Sequence, residues 1–150
     1  MHRKMRGYMS KISAQVTNYK GSHQVVLKTN NNEHSIVIAP KADAFGSSVN
    51  GGELLFLALA TCYCNDIYRE AAKKNLVVKR VEVEVAGEFG DAPGSSAANI
   101  VYSATVEAEA SDEEIEALMR HTDTVAEIQN TLRQASGVTL KSIRAISVHP

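Results

Sequence analysis

Leu54-Leu55-Phe56-Leu57-Ala58-Leu59-Ala60-Thr61-Cys62-Tyr63-Cys64 runs for 11 residues without a charge. The spacing predicts a long helix from about Gly52 to Asn75. Asn50 or Gly51 can cap it, and Glu53 suits the positive N-terminal end. Arg69, Lys73 and Lys74 suit the opposite end. The first half of this helix is apolar on every side. Such a helix is buried on every side. One 150-residue domain seldom encloses a helix completely, so a second chain is expected to cover part of it. The run is too short for a membrane span, which needs about 20 residues.

Upstream, three short segments read as an antiparallel meander. They are Ser10–Lys20, Gln24–Asn30 and Glu33–Ala39. Gly21-Ser22 marks the first turn. Asn30-Asn31-Asn32 marks the second, because Asn tolerates positive φ. Pro40 ends the third segment, and Lys41–Gly52 is a loop. Downstream, Val77–Glu88 carries an alternation of Val with charged residues, the pattern of a half-buried strand. Asn99–Ala108 is its antiparallel partner across the Gly90–Ala98 loop. Ser111-Asp112-Glu113-Glu114 reads as a capping box that opens a helix. A shorter helix spans about Val125–Ala135, and Ser142–His149 reads as a last strand. The order β-β-β-α-β-β-α-α-β predicts an α+β fold rather than a parallel α/β sheet.

The chain has 16 Lys and Arg against 17 Asp and Glu, a net charge of −1. A balance this even carries no electrostatic footprint for nucleic acid or an anionic membrane. At 150 residues the chain is read as one domain, residues 1–150. Met1–Met9 is basic through His2, Arg3, Lys4 and Arg6, but no apolar segment follows, so it is not read as a signal peptide. Two cysteines rule out a disulfide-stapled secreted scaffold. Two cysteines also make a poor zinc site, and the histidines (His2, His23, His34, His121, His149) show no ligand spacing. No metal and no cofactor is expected. The composition suits a protein of the reducing cytoplasm.

Cys62 and Cys64 both sit in the predicted helix. Positions i and i+2 point about 200° apart, since helical neighbours are i+3 and i+4. A Cys62–Cys64 disulfide would require unwinding. Both cysteines also fit a bland role as small buried hydrophobes. Tyr63 and Tyr68 fit core or interface packing. Gly51-Gly52 is no phosphate loop, because no Lys-Ser/Thr follows.

The segment from Glu53 to Cys62, its continuation to Arg69, Lys73 and Lys74, and the Val77–Val85 strand resemble the osmotically inducible protein C (OsmC) family, which includes the organic hydroperoxide resistance (Ohr) proteins. The shared pattern is E-L-L-x-x-A-L-x-x-C, a basic helix end and an alternating V-x-V-x-V strand. The resemblance implies an intertwined α+β homodimer around a central helix. It also implies thiol-dependent reduction of organic hydroperoxides, with Cys62 as the reactive thiol and Glu53 as the family glutamate. The family uses a second cysteine in a later helix, in a run C-P-x-x-x-T-L. Here the matching run is Ala126-Glu127-Ile128-Gln129-Asn130-Thr131-Leu132, with Ala126 at the cysteine position. No Arg stands between Met9 and Cys64 to match the family arginine; Lys20 is a weak substitute. Gly51-Gly52 replaces the proline before the helix. Without a matching second cysteine, turnover implies an external thiol reductant; Cys64 is a secondary candidate.

Peroxide reduction begins with thiolate attack on the O–O bond and leaves a sulfenic acid. A free thiol of pKa about 8.5 is scarcely ionised at neutral pH. Asp66 lies at i+4 from Cys62 and opposes ionisation if it shares that face. Glu53 and Cys62 are nine residues apart, roughly 13.5 Å of rise and half a turn in one helix. They share a pocket only across a dimer interface or through a helix broken near its start. Glu53 also fits a simple first-turn role at the helix dipole. The second functional reading is a non-catalytic dimer that binds a small hydrophobic molecule at its interface.

Overall fold

The computed structural model describes residues 9–146 and 148. The fold is α+β, with antiparallel sheets and three helices among the described residues. The chain divides into two compact units, Met1–Leu54 and Leu55–Pro150.

In the first unit, β1 (Ile12–Tyr19), β2 (Ser22–Thr29) and β3 (Asn32–His34) form an antiparallel sheet in that order. Asn30 (φ 49°) and Asn31 (φ 71°) make the β2–β3 turn in the left-handed region expected of them. The predicted third strand, Glu33–Ala39, is corrected to three residues. Past His34 the backbone leaves β2, and its next pairing is an antiparallel bridge between Pro40 and Ser47. Ile36, Val37 and Ile38 therefore carry strand-like side chains without strand pairing. Their β-branched pattern signals a preference that the loop closing on Ser47 overrides.

Helix α1 spans Gly51–Lys73 without a break. At its start the Glu53 N–H donates to Asn50 Oδ1 at 2.8 Å, and the Asn50 N–H donates to Glu53 Oε2 at 2.9 Å. This reciprocal cap satisfies two amide donors that a helix start leaves free.

In the second unit, β4 (Val78–Phe89) and β5 (Ala97–Ala108) form a two-stranded ribbon. Their register sets Val81 opposite Val106, Val83 opposite Ala104 and Val85 opposite Tyr102. Helices α2 (Asp112–Val125) and α3 (Glu127–Arg133) follow. The capping box at the start of α2 forms as expected between Ser111 and Glu114. The core joins Tyr63, Ile67 and Ala71 of α1 to Leu118 of α2, with Val81, Val83, Tyr102, Ala104 and Val106 of the ribbon packed against them. Gly87 interrupts the ribbon where Phe56 of α1 approaches. A Cβ there would lie 2.7 Å from the Phe56 ring.

The buried positions of α1 form one stripe: Leu59, Tyr63, Asp66, Ile67, Glu70 and Ala71. Leu57 remains 52% exposed, so this chain alone does not enclose the apolar first half of the helix. The predicted last strand, Ser142–His149, is also corrected. No strand forms at residues 142–146 or 148, while Ser147 and His149 lie outside the described residues, as do Met1–Tyr8 with the basic run. Ile143, Ile146 and Val148 are 83%, 69% and 83% exposed. A strand needs a neighbouring edge to satisfy its amides. This segment has the side-chain pattern of a strand but no pairing within the described chain.

Glu70 carries a charge into the second unit's interior. Arg69 Nε and Lys73 Nζ donate to its Oε1 at 2.9 Å each, and His121 Nε2 of α2 lies 3.0 Å from its Oε2. Lys73 and Arg69 outweigh burial and hold its pKa down to about 2. A carboxylate lowered on folding stabilises the fold above its unfolded pKa, and that contribution is lost as the pH falls through the folded value. Stability is therefore expected to decline from the ordinary glutamate range down to about pH 2. Glu70→Gln should flatten this acid limb in denaturant titrations; an unchanged limb would contradict the assignment. Leu118 is fully buried. Leu118→Ala is expected to cost about 2–5 kcal/mol by denaturant unfolding, and a change within experimental error would contradict this core.

Candidate functional site

Cys62 lies in the middle of α1, too deep for strong help from the N-terminal dipole. Helical spacing places Asp66 at i+4 and Arg69 at i+7 on its side of the helix. The start of α3 brings Glu127 to the same place. The Cys62 Sγ donates toward Asp66 Oδ2 at 3.5 Å and lies 3.9 Å from Glu127 Oε2. Arg69 Nη1 binds Asp66 Oδ1 at 2.9 Å and Glu127 Oε1 at 3.0 Å. The same guanidinium reaches Glu70 through Nε at 2.9 Å. One arginine thus holds three carboxylates from two helices.

Burial pushes the Cys62 thiol above its ordinary pKa. The Ile128 backbone N–H opposes this, while the charges of Asp66 and Glu127 add to it. Asp66, nearly sealed from solvent, is raised by burial and by its hydrogen bond with Glu127, against the pull of Arg69. Burial would raise Glu127 as well, but its own backbone N–H, Asp66 and Arg69 prevail and hold it below its usual value. Burial thus leaves Asp66 above the ordinary aspartate range. The sequence expectation that Asp66 opposes ionisation of Cys62 agrees with this geometry.

Cys64 turns elsewhere. It lines a shallow depression with Ala60, Thr61, Asn65 and Val83, and both cysteines are free. The angular argument against a Cys62–Cys64 bond is consistent with this placement. Glu53 is engaged in the cap with Asn50 at the start of α1. Because α1 is continuous, the broken-helix route to a shared Glu53–Cys62 pocket does not apply. Ala126, at the position matched to the family's second cysteine, is fully buried at the junction of α2 and α3.

Arg69 and Glu127 are the residues that sequence reasoning missed. In the sequence Arg69 has a sufficient role as a C-terminal dipole charge, although its i+7 spacing from Cys62 is a usable signal. Glu127 directly follows Ala126 in the run matched to the family helix. Among the described residues, Cys62, Asp66 and Glu127 are the group whose donor atoms, all within 4.8 Å of one another, could hold a metal ion.

A cavity of about 260 Å³ lies one helical turn away, lined by Leu59, Ile100, Tyr102, Gln129, Leu132 and Arg133. Gln129 is buried and donates through Nε2 to the Leu59 carbonyl at 2.9 Å. Its Oε1 has no hydrogen-bond partner among the described residues. Tyr63 stacks edge-on against Tyr102 with ring centres 5.0 Å apart, and its hydroxyl donates to the Met119 carbonyl at 2.9 Å. Tyr63 therefore packs in the core, as its sequence context suggests.

No curated protein matches the chain. Solved structures that share its fold include the following three. An OsmC-like protein from Mycoplasma pneumoniae aligns with a TM-score of 0.56 at 18% identity, covering 81% of this chain and 87% of that one. An OsmC-like protein of unknown function from Vibrio cholerae aligns at 0.57 and 16% identity, covering 82% and 94%. An OsmC-like hydroperoxide resistance protein from Jannaschia sp. aligns at 0.51 and 13% identity, covering 86% and 87%. The family described as OsmC-like protein matches residues 44–141, and the chain belongs to that family.

Proposed function

We propose that this protein is a one-cysteine peroxidase for organic hydroperoxides, with Cys62 as the reacting thiol. The observation that carries this reading is the environment of Cys62. The sulfur is only partly buried and lies between two carboxylates held by an arginine. The apolar cavity one turn away is a suitable place for an alkyl group. In the reaction the Cys62 thiol and a hydroperoxide give Cys62 sulfenic acid and an alcohol. One external thiol then forms a mixed disulfide with release of water. A second external thiol releases Cys62 and leaves as a disulfide. The opposed direction of Cys64 and the methyl of Ala126 both favour an external reductant over an internal one.

The active form is a homodimer of one OsmC-like domain, working in the reducing cytoplasm. The exposed Leu57, Ile143, Ile146 and Val148 support a second copy. So does the unpaired strand-like segment that contains the last three. No helix among the described residues is long and apolar enough to cross a membrane. Glu53 is retained as a site candidate only in the dimer, where a partner subunit supplies the other wall.

A second reading, a non-catalytic dimer that holds a small hydrophobic molecule, draws on the unpartnered Gln129 Oε1 beside the cavity. A ligand detected by native mass spectrometry, with a peroxide-inert Cys62, would favour it.

Cys62→Ser is expected to abolish hydroperoxide consumption in the presence of a small thiol, whereas Cys64→Ser retains it. Full activity in Cys62→Ser, or none in the wild type, would contradict the peroxidase reading. Sedimentation should give twice the 16.2 kDa chain mass; a monomer at assay concentration would contradict the dimer.

A further inference from the structure

A thiol held in its protonated form needs a route for its proton. We propose that Asp66 and Glu127 are catalytic residues forming a proton relay, in which Asp66 takes the Cys62 proton and Glu127 exchanges it with solvent. This inference rests on the peroxidase reading of Cys62.

Three features of the geometry converge on it. The Cys62 Sγ points at Asp66 Oδ2 and Glu127 Oε2, at 3.5 and 3.9 Å. Arg69 binds the other oxygen of each, Oδ1 and Oε1, while Oδ2 and Oε2 lie on the side of the sulfur. The Asp66 side chain is 7% exposed and that of Glu127 is 62% exposed. The path therefore runs from a sealed base to a wet one. The charged groups facing the thiol among the described residues are Asp66 from α1 and Glu127 from α3, both bound by Arg69. Asp66 Oδ2 lies within hydrogen-bonding reach of the thiol, the geometry that general-base transfer requires.

The step balances. The Cys62 S–H bond breaks and its proton passes to Asp66. The sulfur forms a bond to the terminal oxygen of the hydroperoxide as the O–O bond breaks. Sulfur is oxidised by two electrons, and the hydroperoxide is reduced to an alkoxide. The alkoxide takes a proton from the Asp66–Glu127 pair and leaves as an alcohol, with Cys62 as the sulfenic acid.

A relay and a purely electrostatic role predict opposite signs. Removing a carboxylate charge lowers the thiol pKa and, by itself, speeds oxidation. Removing a relay slows it. The experiment follows single-turnover oxidation of Cys62 by tert-butyl hydroperoxide with intact mass, across the neutral pH range, in wild type, Asp66→Asn and Glu127→Gln. Asp66→Asn is expected to be roughly a hundredfold slower below neutrality. Its rate should fall about tenfold per pH unit with the thiolate population. Glu127→Gln, at an exposed position that keeps the fold, should be slowed in the same direction. Unfolding midpoints check that both variants are folded. Rates equal to or faster than wild type with an unchanged pH profile would overturn the relay, while loss of oxidation in Cys62→Ser would leave the peroxidase reading standing. Failure of hydroperoxide to oxidise wild-type Cys62 would instead remove the peroxidase reading. The relay is then judged by iodoacetamide alkylation of Cys62, expected to slow in Glu127→Gln and overturned if it does not.

Discussion

The Arg69 guanidinium is the joint on which the site depends. It binds Asp66 and Glu70 within α1 and Glu127 at the start of α3. Two of these carboxylates are nearly sealed from water. A buried carboxylate without a cation is severely destabilising. The arginine's flat, forked donor set lets one cation serve several acceptors, which a lysine's point charge does less well. Its placement decides which carboxylate oxygens it binds and which lie on the side of the sulfur.

That placement sets the chemistry of Cys62. In the family resemblance an arginine favours the thiolate. Here the guanidinium beside the site is committed to carboxylates, and the sulfur meets Asp66 and Glu127 instead. Burial and these two groups keep the proton on sulfur. On the proposed reading, Cys62 reacts by moving a proton during attack rather than by storing a thiolate beforehand. The cost is a smaller ionised fraction, and the return is a thiol less exposed to indiscriminate oxidation.

Much of the architecture was legible because it rests on local patterns. Period-two alternation in Val77–Glu88, the Asn30-Asn31 turn and the Ser111–Glu114 box each act over a few residues. Two predicted strand segments go unpaired among the described residues for one shared reason. Ile36–Ile38 and Ile143–Val148 have strand-like side chains, but a strand also requires an adjacent edge, and that requirement is not written in a segment's own residues. The site was half legible. Asp66 followed from helix spacing. Glu127 required the fold, since 65 residues separate it from Cys62. Arg69 was visible but ambiguous, because a cation near a helix end has a sufficient local explanation in the dipole.

The central claim is that burial, together with the Asp66 and Glu127 carboxylates bound to Arg69, raises the Cys62 thiol above the pKa of a free cysteine. The most direct measurement is the 13C chemical shift of the Cys62 Cβ against pH, in isotopically labelled Cys64→Ser protein. The account predicts a titration midpoint above that of a free cysteine, about 8.5. A midpoint below neutrality, showing a thiolate already formed in the resting protein, would contradict it.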